Sequence, residues 1–282
     1  MDAACLNHQL TDEERRSFDE EGYFVVRDVL PPATLARVID AADRLYVAYR
    51  PRYGLNAHER LNHLDCIGFD EAFLELIDWP RTFAKVIDIL GWHIQLYHSH
   101  LIITPPPPPG DPLPTGRLGW HQDSGRLNID FETDPRPRVS LKVAFVLTDI
   151  EMPDRGSTHV IPGSHRFNKL EWPPDDAEHP DATPVRARAG DALFFDRRLW
   201  HASGRNVSRF TRKMLFLGYS YRWLRPRDDM TVEHYLEDAD PIRRQLLGVS
   251  PTGGMGYTSP TDEDVPLKGW LEQHLGESAV IA

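Results

Sequence analysis

Cysteine is scarce: two residues, Cys5 and Cys66, in a chain of 282. Two thiols cannot build the framework of a disulfide-stapled secreted domain, so a reducing, cytoplasmic setting is expected. No apolar run approaches the roughly 18–20 residues that a membrane span needs. The opening Met1-Asp2-Ala3-Ala4-Cys5 also lacks the basic and apolar regions of a secretory leader. Positive charge is outnumbered, with 32 Lys+Arg against 43 Asp+Glu and a formal net charge of −11. That balance disfavours nucleic acid and anionic membranes as partners. It also weighs against a coenzyme A ester, unless a local basic pocket overrides the total. No pattern specifies an oligomeric state. The length suits one domain over 1–282 with a sizeable core.

Helical spacing dominates the first ninety residues. Thr11-Asp12-Glu13-Glu14 reads as a capping box opening a helix that ends near Gly22, and Tyr23 to Val29 reads as an early strand. Pro31 and Pro32 suit the first turn of a second helix, whose apolar stripe of Leu35, Val38, Ile39, Ala42, Leu45, Tyr46 and Tyr49 faces a core. A third helix is expected over Arg81 to Leu90. Strand patterns follow at Ile94–Ile103, Val139–Leu147, Pro184–Arg188, Ala192–Phe195 and Arg212–Tyr221. Helices first and antiparallel strands after predict a mainly β fold with flanking helices, a jelly roll. The proline-rich stretch from Pro105 to Pro114 reads as a stiff surface connector at the rim of a site. Residues 166–184 read as an insertion loop able to act as a lid, and a helix is expected over Thr231 to Leu247.

The chemistry concentrates in Trp120-His121-Gln122-Asp123, answered by Leu199-Trp200-His201. Side chains alternate faces in an extended segment, so His121 and Asp123 point one way and Gln122 the other. His201 follows the turn and apolar strand Gly190 to Asp196 and can supply a third ligand. Two imidazoles and one carboxylate leave several positions open, which suits non-haem Fe(II) in oxygenases; zinc usually keeps one open position. A lone His-x-Asp is a weak signal, but its surroundings strengthen it. Arg212, Met214, Phe216 and Gly218 share a strand face, and Ser203 shares the face of His201. An arginine there can clamp a carboxylate by two charge-assisted hydrogen bonds, with a serine hydroxyl beside it.

These pieces, with Ile161-Pro162-Gly163-Ser164-His165, Asn206 and the N-terminal Glu21 to Leu30, resemble the phytanoyl-CoA dioxygenase family of Fe(II)- and 2-oxoglutarate-dependent oxygenases. The resemblance spans about residues 10 to 222 and leaves 223–282 as a C-terminal extension. It implies a double-stranded β-helix core of the cupin-like kind. It also implies His121, Asp123 and His201 as iron ligands, Arg212 and Ser203 as anchors of the far carboxylate of 2-oxoglutarate, and His98 as a further co-substrate contact. The chain departs from the family pattern at Thr104-Pro105, where many relatives carry a lysine, and at Asp154-Arg155-Gly156-Ser157, where Asn-Gly is common. Halogenating relatives have a small residue in place of the carboxylate ligand, so Asp123 argues against halogenation.

The activity so implied uses O2 to convert 2-oxoglutarate to succinate and CO2 while hydroxylating an unactivated C–H bond of a small molecule. Desaturation, cyclisation and epimerisation are alternatives by the same chemistry. A non-catalytic 2-oxoglutarate- or metal-binding sensor is a further reading. A zinc hydrolase or sugar-binding jelly roll would not need Arg212 and Ser203. Gln122, Arg126 and Lys142 are the candidate substrate contacts, since Arg126 follows the motif closely and Lys142 interrupts an apolar strand. His98 and His100 share a strand face without a third ligand, so a lining role is expected for them. The 27 arginines against five lysines are a bias of GC-rich genomes, whose oxygenases often tailor natural products.

Overall fold

The computed structural model describes residues 1–152 and 154–280. Thr11 caps α1 (Asp12–Glu21) as its spacing predicts: its hydroxyl accepts from the Glu14 amide at 3.2 Å, and the Glu14 carboxylate accepts from the Thr11 amide at 2.9 Å. The helix stops at Gly22, whose φ of +86° suits a residue without a Cβ; a Cβ there would lie 2.5 Å from His165 Nδ1. Then follow β1 (Tyr23–Val26), α2 (Pro32–Tyr49), β2 (Leu61–Leu64), α3 (Glu71–Leu74), α4 (Pro80–Leu90) and β3 (Ile94–Thr104). The second half contains α5 (Gly125–Asp130), β4 (Ser140–Val146), β5 (Thr158–Val160), β6 (Thr183–Pro184), β7 (Ala192–Asp196), β8 (His201–Ser203), β9 (Arg212–Tyr221), α6 (Pro241–Leu246) and α7 (Pro266–Leu275).

Six strands pair in the order β1-β7-β4-β9-β3-β2, and three more in the order β6-β5-β8. Every ladder among the described residues is antiparallel. The fold is a double-stranded β-helix backed by helices. Strand alternation sorts the large sheet's side chains into two layers. Leu141, Val143, Phe145, Phe194, Leu215 and Leu217 join the helices in one apolar core. Ala144, Val146, Leu193, Phe195, Met214 and Phe216 face the other way, into the jelly roll, with Val160 and Leu199. Lys142 is even-numbered on β4 and Arg212 even-numbered on β9, so both fall on the inner face.

Several elements differ from the sequence reading. The early strand ends at Val26 because Asp28 turns to φ 50° and gives its amide to Asp191 Oδ1 at 2.9 Å. Of the strand expected over Pro184 to Arg188, only Pro184 is extended in a ladder, as the second residue of the two-residue β6. The helix expected over Thr231 to Leu247 is broken: a 3-10 turn covers Glu233–Tyr235, and α6 starts anew where Asp240 caps the Ile242 and Arg243 amides and Pro241 takes the first turn. Within 223–282, Val232, Ile242, Leu246, Leu267 and Leu271 pack into the helix-side core. Among the described residues no helix is long and apolar enough to cross a membrane.

Candidate active site

His121 and His201 are locked together by backbone. Each gives its amide to the other's carbonyl at 3.0 Å, so the Trp120–Asp123 segment extends the small sheet beside β8. The Asp123 amide donates to Arg197 O at 2.9 Å, which ties the carboxylate to the loop that carries His201. Arg197 is fully buried and gives Nη1 to Asn128 Oδ1 at 2.6 Å. The ligating atoms of His121, Asp123 and His201 lie within 4.8 Å of one another, the one such group of three metal-donor side chains among the described residues.

The protonation pattern fits a cation. Nδ1 of His121 sits 3.0 Å from Gly119 O and Nδ1 of His201 sits 2.9 Å from Leu199 O. A carbonyl only accepts, so Nδ1 carries the proton in each ring and Nε2 keeps its lone pair free. Burial pushes His201 down to about 4, against the pull of Asp123, so the ring is neutral at physiological pH. Burial alone would raise the Asp123 carboxyl, but Lys142 and the two histidines outweigh it and hold it below the usual range. Asp123 Oδ1 accepts from Lys142 Nζ at 3.0 Å, while Oδ2 is buried with no partner. A buried carboxylate oxygen without a donor is costly, and a divalent cation at the cluster would satisfy it.

The cluster opens into a cavity of about 740 Å³ whose wall includes Ile102, Phe195, Ser203, Arg212 and Phe216, a size that suits a co-substrate and a small molecule together. Arg212 is buried, and among the described residues no carboxylate lies beside it. Its Nη1 is 3.4 Å from Ser203 Oγ, its Nη2 is 3.3 Å from Thr158 Oγ1, and its Nε has no partner. Burial and then Arg60 lower it to about 9, the sign of a cation short of an anion. Gly156, at φ +72°, lies beneath it: a Cβ there would come within 3.1 Å of Arg212 Cδ.

The remaining expected contacts fall differently. Gln122 is buried and borders the cavity, but its amide is occupied by loop scaffolding: Nε2 donates to Phe167 O at 3.0 Å and Oε1 accepts from Arg136 at 3.0 Å. Lys142 reaches the cavity but is bound to Asp123. Arg126 stands exposed at the mouth, paired with Asp130 one helical turn on. His98 is fully buried behind the wall, with Nδ1 2.8 Å from Asp228 Oδ1. A bulge between Leu96 and His98 shifts the register of β3, and Tyr97 and His100 line the cavity in its place. None of Pro105 to Pro114 lines the cavity. The insertion at 166–184 is fastened, with Arg117 bonded to Pro173 O and to Ala177 O at 2.9 Å, and Trp120 bonded to Glu178 at 2.7 Å.

Sequence reasoning missed Arg60, Tyr97, Thr158, Arg225 and Arg227 in the wall. The last two had a signal, the acid-free run Arg222-Trp223-Leu224-Arg225-Pro226-Arg227 directly after a strand.

The sequence profile of the phytanoyl-CoA dioxygenase family matches residues 18–214. The chain belongs to the phytanoyl-CoA dioxygenase family. Membership places it among the Fe(II)- and 2-oxoglutarate-dependent oxygenases. An uncharacterized protein of Mycobacterium tuberculosis is 29% identical over 214 residues, 72% of each chain. Two solved structures share the fold. HygX from Streptomyces hygroscopicus, determined with nickel and 2-oxoglutarate bound, superposes with a TM-score of 0.58 at 21% identity, covering 77% of this chain and 90% of its own. SnoK, a non-haem α-ketoglutarate-dependent carbocyclase from nogalamycin biosynthesis, superposes with a TM-score of 0.56 at 20% identity, covering 82% and 92%.

Proposed function

We propose that this member of the family hydroxylates an unactivated C–H bond of a small molecule, with His121, Asp123 and His201 holding Fe(II). Arg212, helped by Ser203, would bind the far carboxylate of 2-oxoglutarate. The observation that carries the reading is the buried, anion-less Arg212 guanidinium facing the same cavity as three metal donors. A metal-only or sugar-binding site has no use for it. When bound, iron and 2-oxoglutarate would supply the oxidising chemistry, with O2 consumed and succinate and CO2 released.

The chain's own residues supply geometry and exclusion. Carbonyls at Gly119 and Leu199 fix the ring tautomers, and Lys142 holds Asp123 in place through Oδ1. Arg212 and Ser203 orient the co-substrate through its distal end, a positioning role. Phe195, Phe216 and Ile102 keep that part of the cavity apolar. The extension beyond β9 supplies Leu224, Arg225 and Arg227 to the cavity wall, so the pocket has features outside the matched family region. The fold likeness to HygX and SnoK supports a role in tailoring a natural product. SnoK's description as a carbocyclase keeps ring closure as the second reading.

The test is product analysis of aerobic reactions with Fe(II), 2-oxoglutarate and a substrate panel. Hydroxylation predicts succinate matched by a product that gains one oxygen atom. Desaturation or cyclisation gives a product that loses two hydrogens, and epimerisation one of unchanged mass. A sensor binds 2-oxoglutarate but yields no succinate with any panel member.

A further inference from the structure

The wall of the cavity is strongly cationic in a chain that is acidic overall. It holds five arginines and Lys142 against one carboxylate, Asp123, whereas the sequence carries 43 acids to 32 bases. Lys142 is committed to Asp123 and Arg126 to Asp130. Arg212 is the anchor proposed for the co-substrate. Arg60, Arg225 and Arg227 remain, and among the described residues none of them has an ion-pair partner. A concave wall of one sign focuses its field on whatever enters.

The backbone that carries two of the three is fastened, while all three side chains are exposed where they line the cavity. Directly after β9 the chain is fastened across β3: Gln95 Nε2 donates to Leu224 O at 2.7 Å, and the Arg227 amide donates to Tyr97 O at 2.8 Å. Asp228 is buried and receives His98 Nδ1 at 2.8 Å together with the Ser99 amide. Arg225 and Arg227 are therefore presented from a clamped segment. Arg60 immediately precedes β2, whose Leu61 pairs with Ile103 of β3. The field of these groups registers on His100, another wall residue: burial first, then His98, Lys142, Arg227 and Arg60, push its imidazole down to about 2.

We propose that the substrate carries an anionic group, a carboxylate or a phosphate, and that Arg60, Arg225 and Arg227 bind it within the cavity. The inference rests on the co-substrate reading only in reserving Arg212 for 2-oxoglutarate. Guanidinium groups match the planar, multi-oxygen geometry of both anions. The anion then fixes one end of the substrate and leaves its apolar part to Ile102, Phe195 and Phe216.

The experiment uses the full chain loaded with Ni(II) and saturating 2-oxoglutarate, so that no turnover occurs and Arg212 is occupied. Hexanoate, hexyl phosphate and the neutral hexanamide are titrated by NMR into wild type and into the Arg60→Gln/Arg225→Gln/Arg227→Gln variant, whose fold is checked by circular dichroism. The anions should bind about tenfold or more tightly than hexanamide, weaken with added salt, and lose that advantage in the variant. Preference for hexyl phosphate over hexanoate assigns a phosphate, and the reverse a carboxylate. Equal binding of all three probes, or a preference that survives in the variant, overturns the proposal. So does a variant whose half-saturating 2-oxoglutarate rises while probe binding stays the same, because the arginines would then serve the co-substrate. Should wild type fail to bind 2-oxoglutarate yet keep the anion preference, the co-substrate reading falls and the anion site stands.

Discussion

Arg212 is a cation buried with two hydroxyls, a thioether and no carboxylate, an arrangement that gains stability only when an anion arrives. Truncating one partner of a buried charge pair costs about 2–5 kcal/mol. Arg212→Ala is therefore expected to raise the half-saturating 2-oxoglutarate concentration by about 30-fold or more, with metal affinity measured by competition little changed. Asp196 illustrates a structural pairing nearby. Burial would raise its carboxyl, but bonds from Arg198 and the charge of Arg138 outweigh it and hold it below the ordinary value. A depressed folded-state value means the stabilisation is complete above the unfolded carboxylate range of about 4 and fades as pH falls through the folded value. Asp196→Asn should cost about 3–5 kcal/mol near neutral pH. In urea titrations its deficit against wild type should shrink below about pH 4. His121, Asp123, His201 and Arg212 could be picked out by alternation and spacing, because each property is local to its own strand. The actual work of Gln122 and Lys142 could not, because their partners, Phe167, Arg136 and Asp123, come from other segments.

Elements were legible where a local rule governs them. The capping box of α1, the apolar stripe of α2 and the long inner strands β3, β4 and β9 follow from period and caps alone. The bulge between Leu96 and His98 did not. Beside it Tyr97 lines the cavity while His98 is taken up by Asp228, and nothing in Tyr97-His98-Ser99-His100 announces it. The segment after β9 was likewise opaque, since its course depends on Asp228 meeting His98 and Ser99 some 130 positions away. Removing that carboxylate leaves a buried amide and a ring nitrogen unpaired, each worth about 1–3 kcal/mol. Asp228→Ala is expected to lower stability by about 2–4 kcal/mol. It should also speed amide exchange selectively over residues 224–231; uniform acceleration across the chain would show instead that the clamp is not local.

Taken as one body, the protein sets an acidic exterior against a basic cavity, and its helices and C-terminal segments share the outer core of the large sheet. Composition revealed the acidic total and hid the basic interior, because charge counts carry no position. Ligands that bind only the folded state stabilise it by mass action, about 2.7 kcal/mol at 100-fold the dissociation constant. Mn(II) with 2-oxoglutarate should therefore raise the melting temperature by about 5–10 °C. In Arg212→Ala the increment from 2-oxoglutarate should vanish while the increment from metal remains.

The measurement that bears most directly on the account is an anaerobic titration of Fe(II) and 2-oxoglutarate into the metal-free protein, followed by the weak visible absorption of chelated iron. A band is expected in wild type, none in His121→Ala, and one in Arg212→Ala only at far higher 2-oxoglutarate. A wild type that gives no band while binding zinc tightly would contradict that expectation, and the cluster would then be a hydrolytic or structural metal site.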